Sequence, residues 1–139
     1  MTRDQMMAVI LHAYAARLRG DVKAIVEAFT PDATFALNAA PPQDCLAVET
    51  KGCDGLHAAL RALVDAFEFQ KLDIVDTIIE GSKAVVRIHL TVRSSATGRI
   101  AVTEALDLLA FRDGKIASYT QFLDTATVDR MIAQPALAG

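Results

Sequence analysis

Apolar positions recur every three to four residues up to Phe67 and every second residue from Phe69 onward. The first spacing is that of helices packed on one face, the second that of half-buried strands. Met7, Leu11, Tyr14 and Leu18 follow one another at spacings of four, three and four, which predicts an amphipathic helix. Thr2-Arg3-Asp4-Gln5 ahead of it fits a capping box. Gly20 ends this helix and Asp21 caps a second, with Val22, Ile25, Val26 and Phe29 as its stripe. Pro31 is expected to stop it, because the residue before a proline is pushed out of helical geometry. Asp32 to Leu37 reads as a short strand. Asn38 to Lys51 contains Pro41-Pro42, has little periodicity and reads as a loop forming the rim of a cavity. Asp54 is expected to cap a third helix with Leu56, Leu60, Leu63, Val64 and Phe67 on its apolar face. His57, Arg61 and Asp65 lie on another face, a solvated one with an Arg61–Asp65 ion pair.

In the sheet part, Leu72, Ile74 and Ile78 alternate with Asp73, Val75 and Thr77 as far as a turn at Glu80-Gly81-Ser82. From Ala84 to Arg93, Val86, Ile88, Leu90 and Val92 share one face, and Val85, Arg87, His89, Thr91 and Arg93 the other. A polar turn at Ser94 to Gly98 leads into a long strand, a tight turn at Arg112-Asp113-Gly114 and a returning strand. Asp124-Thr125 opens a short terminal helix with Val128, Met131 and Ile132. Helices grouped first and a meander after them predict an α+β fold: a curved antiparallel sheet with three helices on its concave face. The hollow between them is a common place for a small ligand. Residues 1–133 are taken as a single domain and 134–139 as a tail, with no internal repeat and no linker.

Composition narrows the classes. The chain has 139 residues, enough to bury a core without disulfides or metal, and is 53% hydrophobic and 22% charged. Its net charge of -3, with Lys and Arg scattered, argues against a nucleic-acid surface. No run reaches the ~18 apolar residues of a membrane span, and the N-terminus does not read as a signal peptide, so the cytoplasm is expected. Cys45 and Cys53 read as reduced thiols acting as small hydrophobes. No nucleotide or metal motif is present, so neither cofactor nor metal is expected.

Asp107 interrupts an apolar run on the first strand of the final hairpin. A two-residue loop at Asp113-Gly114 sets Asp107 opposite Thr120; a three-residue loop sets it opposite Tyr119, with Ala105 opposite Gln121. Both are permitted hairpins, and the second is preferred because it puts Asp107, Tyr119 and Gln121 on one face. In a dry hollow the carboxyl would resist ionisation and serve as an acid or oxyanion donor. The structural reading is a strand aspartate paired with Arg87 or Arg99.

The segments RLRGDVKAIVEAFTPDATF, KGCDGLHAAL, RSSATGR and LLAFRDGKIASYTQFLDT stand in an order that resembles the nuclear-transport-factor-2-like superfamily, in particular its SnoaL-like and ketosteroid-isomerase-related members. The resemblance implies a cone-shaped α+β fold, a homodimer through the outer sheet face and a pocket over the inner face. It implies isomerase, cyclase, epoxide hydrolase or dehydratase activity, or binding without catalysis. Asp107 matches the isomerase's pocket aspartate, which lies four residues before the strand-end Phe, here Phe111. Tyr14 resembles the helix-one tyrosine, offset by one residue, and equally fits the core stripe. Where the isomerase carries its general base this chain has Leu37, and the acid position of the hydrolases falls at Gln121. His89 is then the one stand-in base, or else a structural strand histidine. Two classes follow. One is a cofactor-independent proton-transfer enzyme on a small apolar substrate, with Asp107 and His89 as catalytic groups and Tyr14, Tyr119, Gln121 and Leu37 around the ligand. The other is a ligand-binding or dimerisation domain.

Overall fold

The computed structural model describes residues 1–38 and 48–133. Among the described residues four helices and six strands follow in the order α1 (Arg3–Arg19), α2 (Val22–Glu27), β1 (Phe29–Asn38), β2 (Val48–Lys51), α3 (Cys53–Ala66), β3 (Phe67–Glu80), β4 (Lys83–Ser94), β5 (Ile100–Arg112), β6 (Lys115–Leu123) and α4 (Thr125–Ile132). The strands form one curved, unclosed sheet in the order β2-β1-β6-β5-β4-β3, antiparallel except where β1 runs parallel to β6. The α+β expectation holds among the described residues, and the helix beyond the three expected on the concave face is the short terminal one read from Asp124-Thr125. The fourth, α4, packs on β4 and β5 at the end of the sheet.

Capping sets the starts of α1, α2 and α4 as the sequence implies. The Gln5 amide donates to Thr2 Oγ1 at 3.1 Å and the Thr2 amide to Gln5 Oε1 at 2.8 Å. Asp21 Oδ1 accepts from the Ala24 amide at 3.1 Å. Arg61 and Asp65 form the exposed pair expected of them, at 3.4 Å.

Several boundaries differ. The buried face of α1 is Met6, Ile10, Ala13, Tyr14 and Ala16, while Leu11 is 53% exposed and Leu18 is also exposed. The stripe is rotated by about one residue from the apolar series, so Arg17 falls on the inner side where Leu18 was expected. Helix α2 ends at Glu27, and both Phe29 and Pro31 belong to β1, in a stretch where pairing with β6 is interrupted between Phe29 and Thr34. Helix α3 starts from the Gly52 backbone and not from Asp54, which lies within its first turn. The end of the expected loop is strand β2, paired with β1; the proposed rim at residues 39–47 lies outside the described residues, as do Cys45 and the tail 134–139. Cys53 is a free thiol as expected, but exposed, so it fills no core space.

Strand β3 departs from simple alternation. Its pairing with β4 slips between Phe69 and Lys71 and again between Ile74 and Asp76. Each slip inserts one residue and turns the following side chains over. Ile78 therefore points outward, 62% exposed, and Thr77 and Ile79 are the more sheltered pair. These bulges bend the sheet around a core in which Ile10, Leu56, Ile88, Leu90, Leu109 and Ile116 are fully buried. None of the described helices is long and apolar enough to cross a membrane.

Candidate functional site

The register of the final hairpin places the site. Arg112 pairs with Lys115 across a two-residue turn in which Asp113 (φ 55°) and Gly114 (φ 78°) are both left-handed, the conformation Asp-Gly favours in such turns. Neither register considered from the sequence continues beyond it. After Phe111–Ile116 the pairing moves to Ala110–Ser118, leaving Ala117 as a bulge. The slip sets Asp107 opposite Gln121 and Leu109 opposite Tyr119. The expected three-residue loop is thus replaced by a shorter turn and a bulge. The two changes offset each other, and Asp107, Tyr119 and Gln121 still share the inner face.

Asp107 is completely buried. Its Oδ2 accepts hydrogen bonds from the Tyr14 hydroxyl, at 2.6 Å, and from the Tyr119 hydroxyl. Its Oδ1 accepts from Gln121 Nε2 at 2.9 Å. Tyr14 comes from α1, held by the buried stripe of that helix, and Tyr119 is stacked on Phe35 of β1 with ring centres 5.6 Å apart. Neither arginine offered as a partner from the sequence reaches the carboxylate. Arg87 pairs with Glu104 at 2.6 Å, and Arg99 Nη1 donates to the Arg130 carbonyl at 2.6 Å.

Burial pushes the Asp107 carboxyl above the usual range, and the hydrogen bonds from Tyr119, Tyr14 and Gln121 oppose that rise. Burial, and then the neighbouring Asp107, push both tyrosine hydroxyls upward as well. Both therefore remain protonated donors at neutral pH.

In front of this cluster lies a hollow of about 90 Å³, walled by α1, α3 and the inner sheet face. Tyr14, Tyr119, Gln121 and Leu37 line it, whereas Asp107 sits behind the two tyrosines. Drug-sized ligand sites run to ~300–1,000 Å³, so this space as it stands suits a small molecule.

A model of the SnoaL-like domain matches residues 10–119. The chain belongs to the SnoaL-like family. No curated protein matches it by sequence. Among solved structures, the SnoaL-like domain resembles an NTF2-like protein of unknown function from Burkholderia pseudomallei, with a TM-score of 0.84 at 23% identity over 96% of this chain and 100% of that one. It also resembles a candidate SnoaL-like polyketide cyclase from Jannaschia sp. CCS1, with a TM-score of 0.80 at 17% identity over 96% and 94% of the two chains. A third, a candidate isomerase from Bacillus subtilis, gives 0.83 at 14% identity over 92% of each chain. At these identities the likeness establishes the NTF2-like fold.

His89 is not in the SnoaL-like domain's hollow. Alternation along β4 turns it outward with Arg87, and its Nε2 contacts Glu104 Oε1, the oxygen that Arg87 also holds. The arginine and then the histidine keep the Glu104 carboxyl below its usual range. Leu37 is buried in the wall, in parallel register with Gln121, and offers no proton acceptor.

Sequence reasoning missed two wall residues. Arg17 lies one turn beyond Tyr14, with its guanidinium carbon 3.7 Å from the centre of the Phe69 ring and Nη2 donating to the Phe67 carbonyl at 2.7 Å. Burial lowers its guanidinium to about 10, which leaves it charged at neutral pH. Its spacing of three and four residues from Tyr14 and Ala13 was the available signal. Thr103, on β5, lines the same hollow with its hydroxyl buried and unpartnered among the described residues.

Proposed function

We propose that this SnoaL-like domain binds a small, largely apolar molecule and rearranges it by proton transfer, as an isomerase or cyclase working with the protein's own groups. The observation that carries the reading is the buried Asp107 cluster closing one end of an apolar hollow. Tyr14 and Tyr119 both line the hollow and both donate to Asp107; Tyr119 is assigned here as the catalytic residue, and Asp107 behind it as the proton store. With Asp107 ionised, the Tyr119 oxygen takes a proton from the substrate while its own proton passes to the carboxylate. The tyrosine is unchanged, and the acid holds the proton for return to another position. Burial raises the basicity of Asp107 and so favours the transfer. With Asp107 protonated, its O–H donates to one tyrosine oxygen and frees that hydroxyl to stabilise a developing enolate.

Mass spectrometry of small molecules retained by the purified protein identifies a ligand for the test. Incubation of that ligand with the protein in D2O should place deuterium on its carbon skeleton. Asp107→Asn should keep binding and lose exchange. Equal exchange by the variant would remove Asp107 from the reaction. The second reading, binding without catalysis, is favoured by the apolar Leu37 at the base position; it predicts binding by both proteins and exchange by neither.

A second copy of the chain is the partner that fits the outer sheet face. Val102 is 78% exposed there, and Ile100, Leu106, Leu108 and Phe122 are exposed with it. Sedimentation should show a dimer that Val102→Glu dissociates, and a monomeric wild type would overturn this assembly.

A further inference from the structure

Resting on the small-molecule reading above, we propose that the ligand is a small organic acid whose carboxylate is held by Arg17, with its apolar body in the hollow. A guanidinium on an apolar wall is costly unless an anion compensates it. Here the hydrogen bonds of Arg17 go only to carbonyl oxygens, its plane lies over a ring, and the one titratable group that bears on it is the Tyr119 hydroxyl, which is neutral at neutral pH. Nη2 donates to the Phe67 carbonyl at 2.7 Å and the Leu63 carbonyl at 3.5 Å, and the plane covers Phe69. Among the described residues, Nη1 and Nε have no partner, and no carboxylate pairs with Arg17. The acids near it in the chain fold are committed elsewhere: Asp21 to Arg19, Asp65 to Arg61 and Glu68 to Arg93. Asp107 lies behind the tyrosines, with three donors already on it.

The competing account makes Arg17 a structural cap for the last carbonyls of α3. That role uses one nitrogen and leaves the fork's other donors free. A carboxylate accepts such a fork bidentately, which a single capping contact does not require. Thr103 adds a second polar point on the same wall, two strands from Phe69 and so roughly 10 Å across the sheet. An acid bound in this way would place its charge at Arg17 and direct the rest of the molecule toward Tyr14, Tyr119 and Gln121.

The chain has no Trp and only two Tyr, and both tyrosines line the hollow, so tyrosine fluorescence reports on this space alone. Titration with benzoate, phenylacetate and hexanoate, each against its neutral amide, tests the proposal. At neutral pH and low salt the acid should bind at least tenfold tighter than its amide for at least one pair. Arg17→Met should bring that ratio near one while the amide still binds, and Arg17→Lys should retain part of the preference. A ratio near one in the wild type, or an undiminished ratio in Arg17→Met, overturns the inference and leaves the pocket reading standing. Binding by no acid and no amide would overturn both. Should Arg17→Met fail to fold, the wild-type ratio and its decline with added salt decide the question.

Discussion

Asp107 and Glu104 sit three residues apart on β5 and meet opposite worlds. Asp107 faces inward, fully buried, with neutral donors on both oxygens. Glu104 faces outward, its side chain 47% exposed, with Arg87 and His89 on one oxygen. Burial pushes the inner carboxyl up, and hydrogen bonds from Arg87 and His89 hold the outer one down. One strand thus carries an acid that holds its proton above the usual range and one that gives it up below that range, and the pleat alone decides which is which. Composition does not separate them, since both lie in the same alternating run.

The most disruptive way to break this contrast is to delete Ala117. Without the bulge, the two-residue turn sends Tyr119 and Gln121 to the outer face and strands Asp107 without two of its three donors. We expect loss of cooperative thermal unfolding and of the near-ultraviolet tyrosine signal. A variant that melts cooperatively with that signal intact would show that the Asp107 network, and not the turn, sets the register.

The same deletion marks where sequence reasoning stopped. The fold class was legible because the change of period at Phe67–Phe69, the capping box at Thr2 and the Asp113-Gly114 turn are local signals. The cluster around Asp107 was legible as a shared face, but its pairing was not, because nothing in Ile116-Ala117-Ser118 announces a bulge. Ile78 was misplaced for a similar reason, since the slip between Ile74 and Asp76 resets the alternation. The apolar pattern favours Leu18 over Arg17, whereas the buried stripe of α1, rotated by about one residue, brings the arginine stem to the hollow and leaves Leu18 exposed. His89 was drawn into the site by its chemistry, and its outward face followed only from which side of β4 the helices cover.

Truncating each acid comes next in size. Asp107→Ala leaves two tyrosine hydroxyls and the Gln121 amide without their acceptor, which should destabilise the protein by about 3 kcal/mol. That corresponds to a fall in Tm on the order of 10 °C. Glu104→Ala removes only solvent-exposed pairing and should leave Tm nearly unchanged, because exposed ion pairs contribute little. Calorimetry on the two variants reads the contrast directly. Equal losses would mean that the outer pairing is as structural as the inner network.

The smallest effect is also the most specific, because its sign differs between the two faces. The folded protein holds the Asp107 proton more tightly than the unfolded chain does. Asp107 therefore makes stability fall as pH rises above its unfolded value of ~3.9, by at most about 1.4 kcal/mol per pH unit, until the folded group has ionised. Glu104 is held more tightly in its charged form, so its contribution is present above its unfolded value of ~4.3 and is lost as pH falls through the lower folded value. Denaturant titrations across this range should show the wild type losing ground to Asp107→Asn as pH rises and gaining on Glu104→Gln. If both differences moved the same way, the inner carboxylate would be stabilised by its three donors more than burial opposes it. The hydrogen bonds would then outweigh desolvation at Asp107, and Tyr119 would have a charged acceptor behind it at neutral pH.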